Sequence, residues 1–348
     1  MIISVTGFGS TGASAYIDLI KEFENVQFFP GSMEFQILHE PDGILDLERS
    51  ILNGCRTNMQ VAISRFSKND INRSVRLDIA SHNKFRLLKK KYISQIANIC
   101  WRGKSVYDPV DQRKWYDNRY FRLINRAIDH YLIKKDKYNS WPPETNRSIS
   151  SITSEQFNEI TRSFLKSLFE SCGFDVSGNI LLEQLYNASM PFEGNHLLPS
   201  DSLSIVVDRD PRDVYIITNY LFPYYNRFMP HSRDVDTFIK YYKSIHRKKN
   251  SEQLKSVLYL NYEDIIYNYN KTISLLSNNL LGLKHKHKKK YFKPECSINN
   301  TQLFKKGYEN QIDEIKRIEK ELPEFLYPFE KHRIDFVPLK TKPFEIQI

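Results

Sequence analysis

The segment from Gly7 to Ser14, which reads GFGSTGAS, constrains the fold of this chain more than any other part of the sequence. Its first and last glycines are five residues apart and Ser14 follows two residues later, which is the spacing of a phosphate-binding loop. Apolar, β-branched residues at 2–6 predict a strand before the loop, and apolar residues at helical spacing at 15–23 predict a helix after it. The expected local architecture is therefore strand, tight loop, helix.

This architecture favours the binding of a phosphate or sulfate group. The N–H groups of the loop and of the first helical turn point to one place, and the helix dipole stabilises negative charge there. A nucleoside triphosphatase also needs a lysine directly after the last glycine, but this chain has Ala13 at that position and keeps the hydroxyl of Ser14. A glycine-containing turn that begins a helix is the other interpretation.

The composition predicts a globular protein without a membrane segment. Of the 348 residues 41% are hydrophobic and 13% aromatic, which is enough for a sizeable core. No apolar run approaches the roughly 18 residues of a membrane span, and no basic leader precedes the first strand. Since metal and redox spacings are missing, reduced thiols in a cytoplasmic protein are expected for Cys55, Cys100, Cys172 and Cys296.

The net charge of +10 suggests an anionic partner. Part of this charge lies in the run Lys284 to Lys290, for which a solvated loop is the ordinary interpretation. Specific binding of nucleic acid is not expected, because no reader motif accompanies the charge.

Strand and helix signals alternate along much of the chain. Residues 26–29 predict a second strand, and residues 44–52 a helix. Compact apolar runs at 203–207 and 256–260 predict buried strands, the latter followed by a helix over 265–281. The pattern predicts one α/β domain over residues 1–348, with a parallel sheet like that of P-loop nucleotide hydrolases and flanking helices. A largely helical insertion is expected at about 50–165, where strand signals are few.

Four segments together resemble the sulfotransferases that use 3'-phosphoadenosine 5'-phosphosulfate, and bacterial polysaccharide sulfotransferases most closely. In chain order they are the loop at 7–14, VVDRDPRDVY at 206–215, LYLNYEDI at 258–265 and LFKKGYEN at 303–310. The resemblance implies that the loop holds the 5'-phosphosulfate, through Gly9, Ser10, Thr11, Gly12, Ala13 and Ser14. It implies an adenine contact for Tyr262 and a 3'-phosphate site made by Arg209, Lys305, Lys306 and Gly307.

Two positions in the 3'-phosphate segment need a choice between neighbours. Arg209 follows the strand directly and matches the family's arginine, whereas Arg212 is expected to pair with Asp213 at the surface or to cap a helix. The position of the family's serine in this segment is occupied by Ile217. The resemblance therefore implies that Thr218 or Tyr215 makes the contact of that serine, or that the contact is absent.

The resemblance implies transfer of a sulfuryl group to a carbohydrate hydroxyl, without a metal. Ser10 occupies a position where many members have a lysine or arginine, so Lys305, Arg212 or a residue of the insertion is expected to supply the cation. Glu34, just past the second strand, is the first candidate for the general base. His196 is the second candidate and Asp46 the third, although a helix N-terminal charge for Glu34 and a structural role for His196 are the competing interpretations.

The insertion is expected to select the acceptor. Its aromatic residues would stack on sugar rings or form its own core, and they are Tyr107, Trp115, Tyr116, Tyr120 and Trp141. Three other functions stay open at this point: a P-loop kinase, a non-catalytic nucleotide-binding protein, and binding of nucleic acid through the Lys284 to Lys290 run.

Overall fold

A computed structural model describes residues 1–31, 33–68, 73–103, 127, 130–131, 145–222, 234–246, 256–307, 309–334, 336–339 and 341–344. The chain divides into two compact units, one formed by residues 1–36 with 174–348 and the other by 37–173. The aromatic residues Tyr107, Trp115, Tyr116, Tyr120 and Trp141 lie outside the described residues.

The described strands and helices follow the chain in this order. The strands are β1 (Ile2–Gly7), β2 (Val26–Phe28), β3 (Ile99–Gly103), β4 (Thr145–Ile149), β5 (Asn179–Glu183), β6 (Leu203–Asp208) and β7 (Val257–Asn261). The helices are α1 (Ala13–Ile20), α2 (Ile44–Leu52), α3 (Arg56–Lys68), α4 (Arg73–Ala80), α5 (Phe85–Ile96), α6 (Ser154–Ser171), α7 (Pro211–Ile216), α8 (Val235–Ile245), α9 (Asp264–Tyr267), α10 (Tyr269–Asn279), α11 (Pro294–Ser297) and α12 (Ile312–Glu321). No described helix is both long and apolar enough to cross a membrane, and no disulfide joins the four cysteines.

The first unit is built on a five-stranded parallel sheet in the order β2-β5-β1-β6-β7. The central strands β1 and β6 are buried almost throughout, as expected where helices cover both faces of a parallel sheet. Helix α1 buries Tyr16, Leu19 and Ile20 against the face of the sheet that carries Ile3 and Val5. The α/β fold with a parallel sheet flanked by helices, predicted from the sequence, is confirmed.

Local differences from the predictions have physical causes. Strand β5 was not predicted, because its apolar stretch is only three residues long and lies between polar residues. The helix predicted over 265–281 is two helices, α9 and α10, which meet at Asn268. Asn is a residue that commonly interrupts a helix, since its side chain competes for backbone hydrogen bonds.

The second unit contains α2 to α6 and an antiparallel pair, β3 with β4, in which Ile99 lies opposite Ile149. Tyr92 of α5 stacks on Phe164 of α6 at 4.5 Å, and its hydroxyl lies 2.9 Å from Oγ1 of Thr161. The predicted insertion at about 50–165 falls within this unit. The strand pair was not predicted, because its partners are separated by more than 40 residues.

Candidate functional site

The segments singled out in the sequence meet at the carboxyl edge of the first unit's sheet. The loop follows β1, Arg209 follows β6, and Tyr262 follows β7, and these three strands are neighbours. Gly7 is paired with Val207, and Asp208 with Asn261, so the three strands end at nearly the same level. Ligands of open α/β sheets bind at this edge. The fold therefore brings the residues together that could hold an anion.

The loop between β1 and α1 adopts a left-handed backbone at three positions. The φ angles are 90° at Gly9, 55° at Ser10 and 85° at Gly12. Glycine adopts this region readily, whereas the side chain of Ser10 makes it unfavourable there. Buried Thr11 closes the loop by accepting a hydrogen bond on Oγ1 from the N–H of Phe8 at 3.2 Å.

Several donors of this loop have no protein acceptor. Among the described residues, none accepts a hydrogen bond from the N–H groups of residues 9–12, and the hydroxyls of Ser10 and Ser14 likewise have no partner. The loop leads into α1, which has no acidic residue in its first turn. Unpaired N–H groups at a helix N-terminus form a site suited to an anion.

Tyr262 is in close contact with this loop. A Cβ built on Gly12 would lie 2.4 Å from Cδ2 of the Tyr262 ring, so only glycine fits there. Tyr262 is 3% exposed. Its backbone N–H donates to the carbonyl of Asp208 at 2.8 Å, and its hydroxyl donates to the carbonyl of Ser297 at 3.2 Å. The structure therefore fixes Tyr262 against the loop and covers most of its ring.

The guanidinium of Arg209 lies over the same ring, 4.4 Å from its centroid. Arg209 is only 2% exposed, and its Nη2 donates to the carbonyl of Asn300. Its Nε is buried and has no hydrogen-bond partner in the described part of the chain. The ring of Phe344 also lies near, at 5.9 Å, and the N–H of Phe344 donates to Oδ1 of Asn300. Arg209 is thus a buried cation with a donor to spare, next to the loop.

Arg212 has a different role from the one predicted. Its guanidinium makes ion pairs with Asp210 at 2.7 Å and Glu319 at 2.8 Å, and it lies over the ring of Phe304. Its partner is therefore Asp210 and not Asp213. Because Asp210 and Glu319 already hold its charge, Arg212 is poorly placed to replace the cation that Ser10 lacks.

Asp213 ties the late basic segment to the end of β6. Its carboxylate accepts hydrogen bonds from the N–H groups of Gln302 at 2.8 Å and Leu303 at 2.7 Å. Lys306 donates back to its own loop, to the carbonyls of Thr301 at 2.7 Å and Asn299 at 3.1 Å. Burial lowers the pKa of Lys306. This ammonium therefore shapes the loop.

The other two residues predicted in this loop are more accessible. Lys305 is exposed, and its ammonium donates to Oε1 of Gln302 at 2.9 Å. Gly307 has a φ of 81°, and nothing lies within 4 Å of the position that a Cβ would take there. Tyr308 lies outside the described residues. Lys305 is thus the lysine of the pair that is free to turn toward a ligand.

Asp213 makes the stability of the protein depend on pH. Burial raises the pKa of Asp213 to about 6 from 3.8, so the folded protein holds this proton more tightly than the unfolded chain does. We expect the contribution of Asp213 to the free energy of unfolding to fall as the pH rises from about 4 to about 6, and not to change further above that range. Urea unfolding of the wild type and Asp213→Asn at several pH values measures the effect. A difference in stability between the two proteins that stays constant from pH 4 to 7 would contradict it.

The structure does not support two of the predicted site residues in their predicted roles. Thr218 is fully buried and donates its hydroxyl to the carbonyl of Val214 at 2.8 Å, within the helical segment that continues α7. His196 is exposed, and the neighbouring Asn195 donates to Oγ of Ser256, the residue just before β7. This contact places His196 near the amino edge of the sheet, about 16 Å, the length of β7, from the edge with the loop. The geometry therefore does not support His196 as a base at the loop.

Glu34 lies on the same edge as the loop. Phe35 next to it donates its N–H to the carbonyl of Glu183 at 2.7 Å, so residues 34 and 183 pair at the end of β5. Glu34 is exposed and accepts a hydrogen bond from Gln36 at 2.6 Å. Asp46 belongs to the second unit, where it accepts from the N–H of Asp42 and pairs with Arg49. Glu34 thus lies at the predicted edge of the sheet, and its role as a base stays a prediction.

The sequence interpretation missed several groups at this edge. Glu183 ends β5 beside Glu34. Residues at the carboxyl ends of β6 and β7 were chosen as site candidates, and the same choice at β5 would have included Glu183 if that strand had been predicted. Asp208 forms a buried network in which it accepts from the hydroxyl of Tyr242 at 2.9 Å and lies 3.2 Å from Nε2 of His246. The His246 ring stacks on Phe8 at 4.0 Å, so this network supports the start of the loop. No signal in the sequence links positions 208 and 246.

Among the described residues, no group of three or more His, Cys, Asp or Glu side chains is arranged to hold a metal ion.

Comparison with known proteins finds no match: no protein-family model, no curated protein and no solved structure is similar to this chain.

Proposed function

We propose that this protein is a sulfotransferase that moves a sulfuryl group from 3'-phosphoadenosine 5'-phosphosulfate to a hydroxyl of a carbohydrate. One observation supports it above the others. Gly12, in the loop whose amides at residues 9–12 are unpaired, and the buried guanidinium of Arg209 both lie against the ring of one residue, Tyr262. The donor carries anionic groups at two separate positions, and a pocket with an amide site and a cation site answers both.

In this proposal the loop binds the phosphosulfate and Arg209 binds the 3'-phosphate. Because Arg209 is 2% exposed, the phosphate takes the place of the Asn300 carbonyl, and Phe344 moves aside when the nucleotide binds. Lys305 at the surface completes the cation site. Tyr262 sets the spacing of the two anion sites, and it contacts adenine once the covering residues have moved.

The transfer step needs in-line geometry and stabilisation of charge. The acceptor oxygen forms a bond to sulfur while the bond from sulfur to the phosphate oxygen breaks, and that electron pair stays on the leaving bisphosphate. The amides of the loop and the hydroxyls of Ser10 and Ser14 stabilise the leaving phosphate. Glu34 takes the proton of the acceptor hydroxyl.

Calorimetric titration with adenosine 3',5'-bisphosphate, ADP and magnesium-ATP tests the nucleotide. A sulfotransferase binds the bisphosphate most tightly, since only that ligand offers a 3'-phosphate to Arg209. A P-loop kinase would prefer magnesium-ATP, although Ala13 deprives it of the usual lysine. Tighter binding of magnesium-ATP than of the bisphosphate would therefore overturn the proposal.

Replacing Glu34 by glutamine should slow transfer to a good acceptor by about 100- to 1000-fold, because a positioned base contributes that much. Bisphosphate affinity should not change, since the carboxylate does not touch the nucleotide. Transfer of radiolabelled sulfate measures the rate, and Glu24→Gln, at an exposed position of the same unit, is the control. A slow Glu183→Gln beside a normal Glu34→Gln would move the base to Glu183. Normal rates in both variants would refute a carboxylate base at this edge.

A further inference from the structure

Three lysines of the run Lys284 to Lys290 line a cavity, although most side chains of the run are exposed. The cavity has a volume of about 280 Å³ and lies between the end of α1 and the start of β2. Four lysines line it, with Phe28 and Tyr291, and we call it the lysine pocket: Lys21, Lys286, Lys288 and Lys290.

A buried carboxylate holds the lysine run in place. Glu22 is 3% exposed and accepts hydrogen bonds from the N–H groups of Lys289 at 2.8 Å, Tyr291 at 3.0 Å and Phe292 at 3.2 Å. The backbone carbonyl of Glu22 also accepts from the N–H of Lys286 at 3.0 Å. An anchored run keeps its lysine side chains around the cavity, where a solvated loop would let them spread apart.

This conformation has an energetic cost. His287 and Lys289 have φ angles of 51° and 49°, in the left-handed region that disfavours side chains. Among the described residues no carboxylate pairs with Lys286, Lys288 or Lys290, whereas Lys21 pairs with Asp18 and Lys289 with Glu295. The ammonium of Lys290 lies over the ring of Tyr291, 5.0 Å from its centroid. Like charges that line one cavity repel each other, and an anion bound among them relieves that repulsion.

The lysine pocket continues toward the candidate active site. A smaller cavity shares Lys21 and Phe28 with it and is also lined by Met33 and Glu183. Met33 precedes Glu34. Val26 lies opposite Asn179 and Glu34 lies opposite Glu183, so the pocket end of β2 and Glu34 are four residues of β5 apart, about 13 Å. A chain of a few sugar units that begins in the lysine pocket can therefore reach Glu34 along β2.

We propose that the lysine pocket binds a carboxylate- or sulfate-bearing unit of an acidic polysaccharide, whose neighbouring units extend along β2 to Glu34. That the polysaccharide is the acceptor rests on the proposed function, whereas its binding in the pocket does not. The concave shape favours a single anionic sugar with Tyr291, 40% exposed, against its apolar face. A DNA duplex or a flat membrane cannot enter such a cavity.

The test compares two variants that change the net charge equally. Lys288→Glu with Lys290→Glu alters the pocket, and Lys316→Glu with Lys320→Glu alters exposed positions of α12. Binding to heparin, hyaluronan and neutral dextran is measured at fixed salt, with single-stranded DNA as a competing polyanion. We expect the pocket variant to bind heparin and hyaluronan at least 10-fold more weakly, the control to change less than 2-fold, and dextran not to bind.

Equal weakening in both variants would show general charge attraction and overturn the proposal. Tighter binding of DNA than of either acidic polysaccharide, lost in the pocket variant, would overturn it too. The titration with adenosine 3',5'-bisphosphate is run on the same proteins. One outcome is that the wild type does not bind the bisphosphate while the pocket variant binds heparin more weakly than the wild type. This would refute the sulfotransferase activity and the role of the polysaccharide as acceptor, but not the polysaccharide-binding site. Normal bisphosphate binding with unchanged heparin binding refutes the pocket alone.

Discussion

Replacing Arg209 by alanine should raise the dissociation constant for adenosine 3',5'-bisphosphate by about 100-fold or more. Two charge-assisted hydrogen bonds from a guanidinium to a phosphate contribute roughly 3 kcal/mol together, which corresponds to about that factor. The effect is large here because the guanidinium is buried, where water screens it little. Calorimetric titration measures the constant.

Loss of Arg209 also removes a positive charge that acts on two buried carboxylates, Asp213 and Glu263, so the alanine variant is expected to be less stable. Burial raises the pKa of Glu263 well above its usual range, and the charge of Arg209 opposes that shift. Arg209→Lys keeps the charge while losing the two-pronged geometry, and we expect it to fold and to bind about 10-fold more weakly.

Arg212→Lys is the matched control, because Arg212 already pairs with Asp210 and Glu319. It should bind the bisphosphate as the wild type does. Wild-type affinity in Arg209→Lys and in any folded Arg209→Ala protein would show that Arg209 only balances buried carboxylates. The 3'-phosphate site would then have to lie elsewhere.

Replacing Gly12 by alanine should disrupt the loop and the adjacent ring together. Alanine at a φ of 85° is strained, and its Cβ would lie 2.4 Å from Cδ2 of Tyr262, so the ring must move. The strain costs about 1 kcal/mol and the overpacking about 2 kcal/mol more. Since Arg209 lies on the same ring, we expect bisphosphate binding to fall below detection while the protein stays folded at low temperature.

Gly282→Ala separates the two contributions. Gly282 has a φ of 77° but nothing within 4 Å of the position that a Cβ would take, so its alanine variant carries the backbone strain without the collision. We expect a loss of about 1 kcal/mol in urea unfolding and normal binding of the bisphosphate. If the two alanine variants lose equal stability and both bind normally, the contact between Gly12 and Tyr262 does not matter for the site.

Much of the fold could be predicted because its signals are local. A short β-branched run, a glycine loop and an apolar helical stretch define β1, the loop and α1 within about twenty residues of sequence. The apolar runs before Arg209 and Tyr262 mark β6 and β7 in the same way. Strand β5 has a weaker signal, and the pair β3 and β4 depends on a contact between distant segments that no local pattern contains.

The candidate site was predicted only in part, for the same reason. Arg209, Tyr262 and Glu34 follow strand ends, and a parallel sheet brings strand ends to one edge. His196 was misplaced because the chain crosses from the carboxyl edge to the amino edge of the sheet between β5 and β6, and no residue pattern marks that crossing. Thr218 was chosen by its hydroxyl, which the helix itself binds.

The sequence by itself determined that a glycine loop with the spacing of a phosphate-binding loop lies between a strand and a helix, because glycine spacing and strand and helix signals are local. Only the tertiary structure decided that Tyr262 touches both Gly12 and Arg209, that Arg212 pairs with Glu319, and that Glu22 anchors the lysine run. These contacts join residues that are far apart in the chain, and the order of the strands in the sheet brings them together.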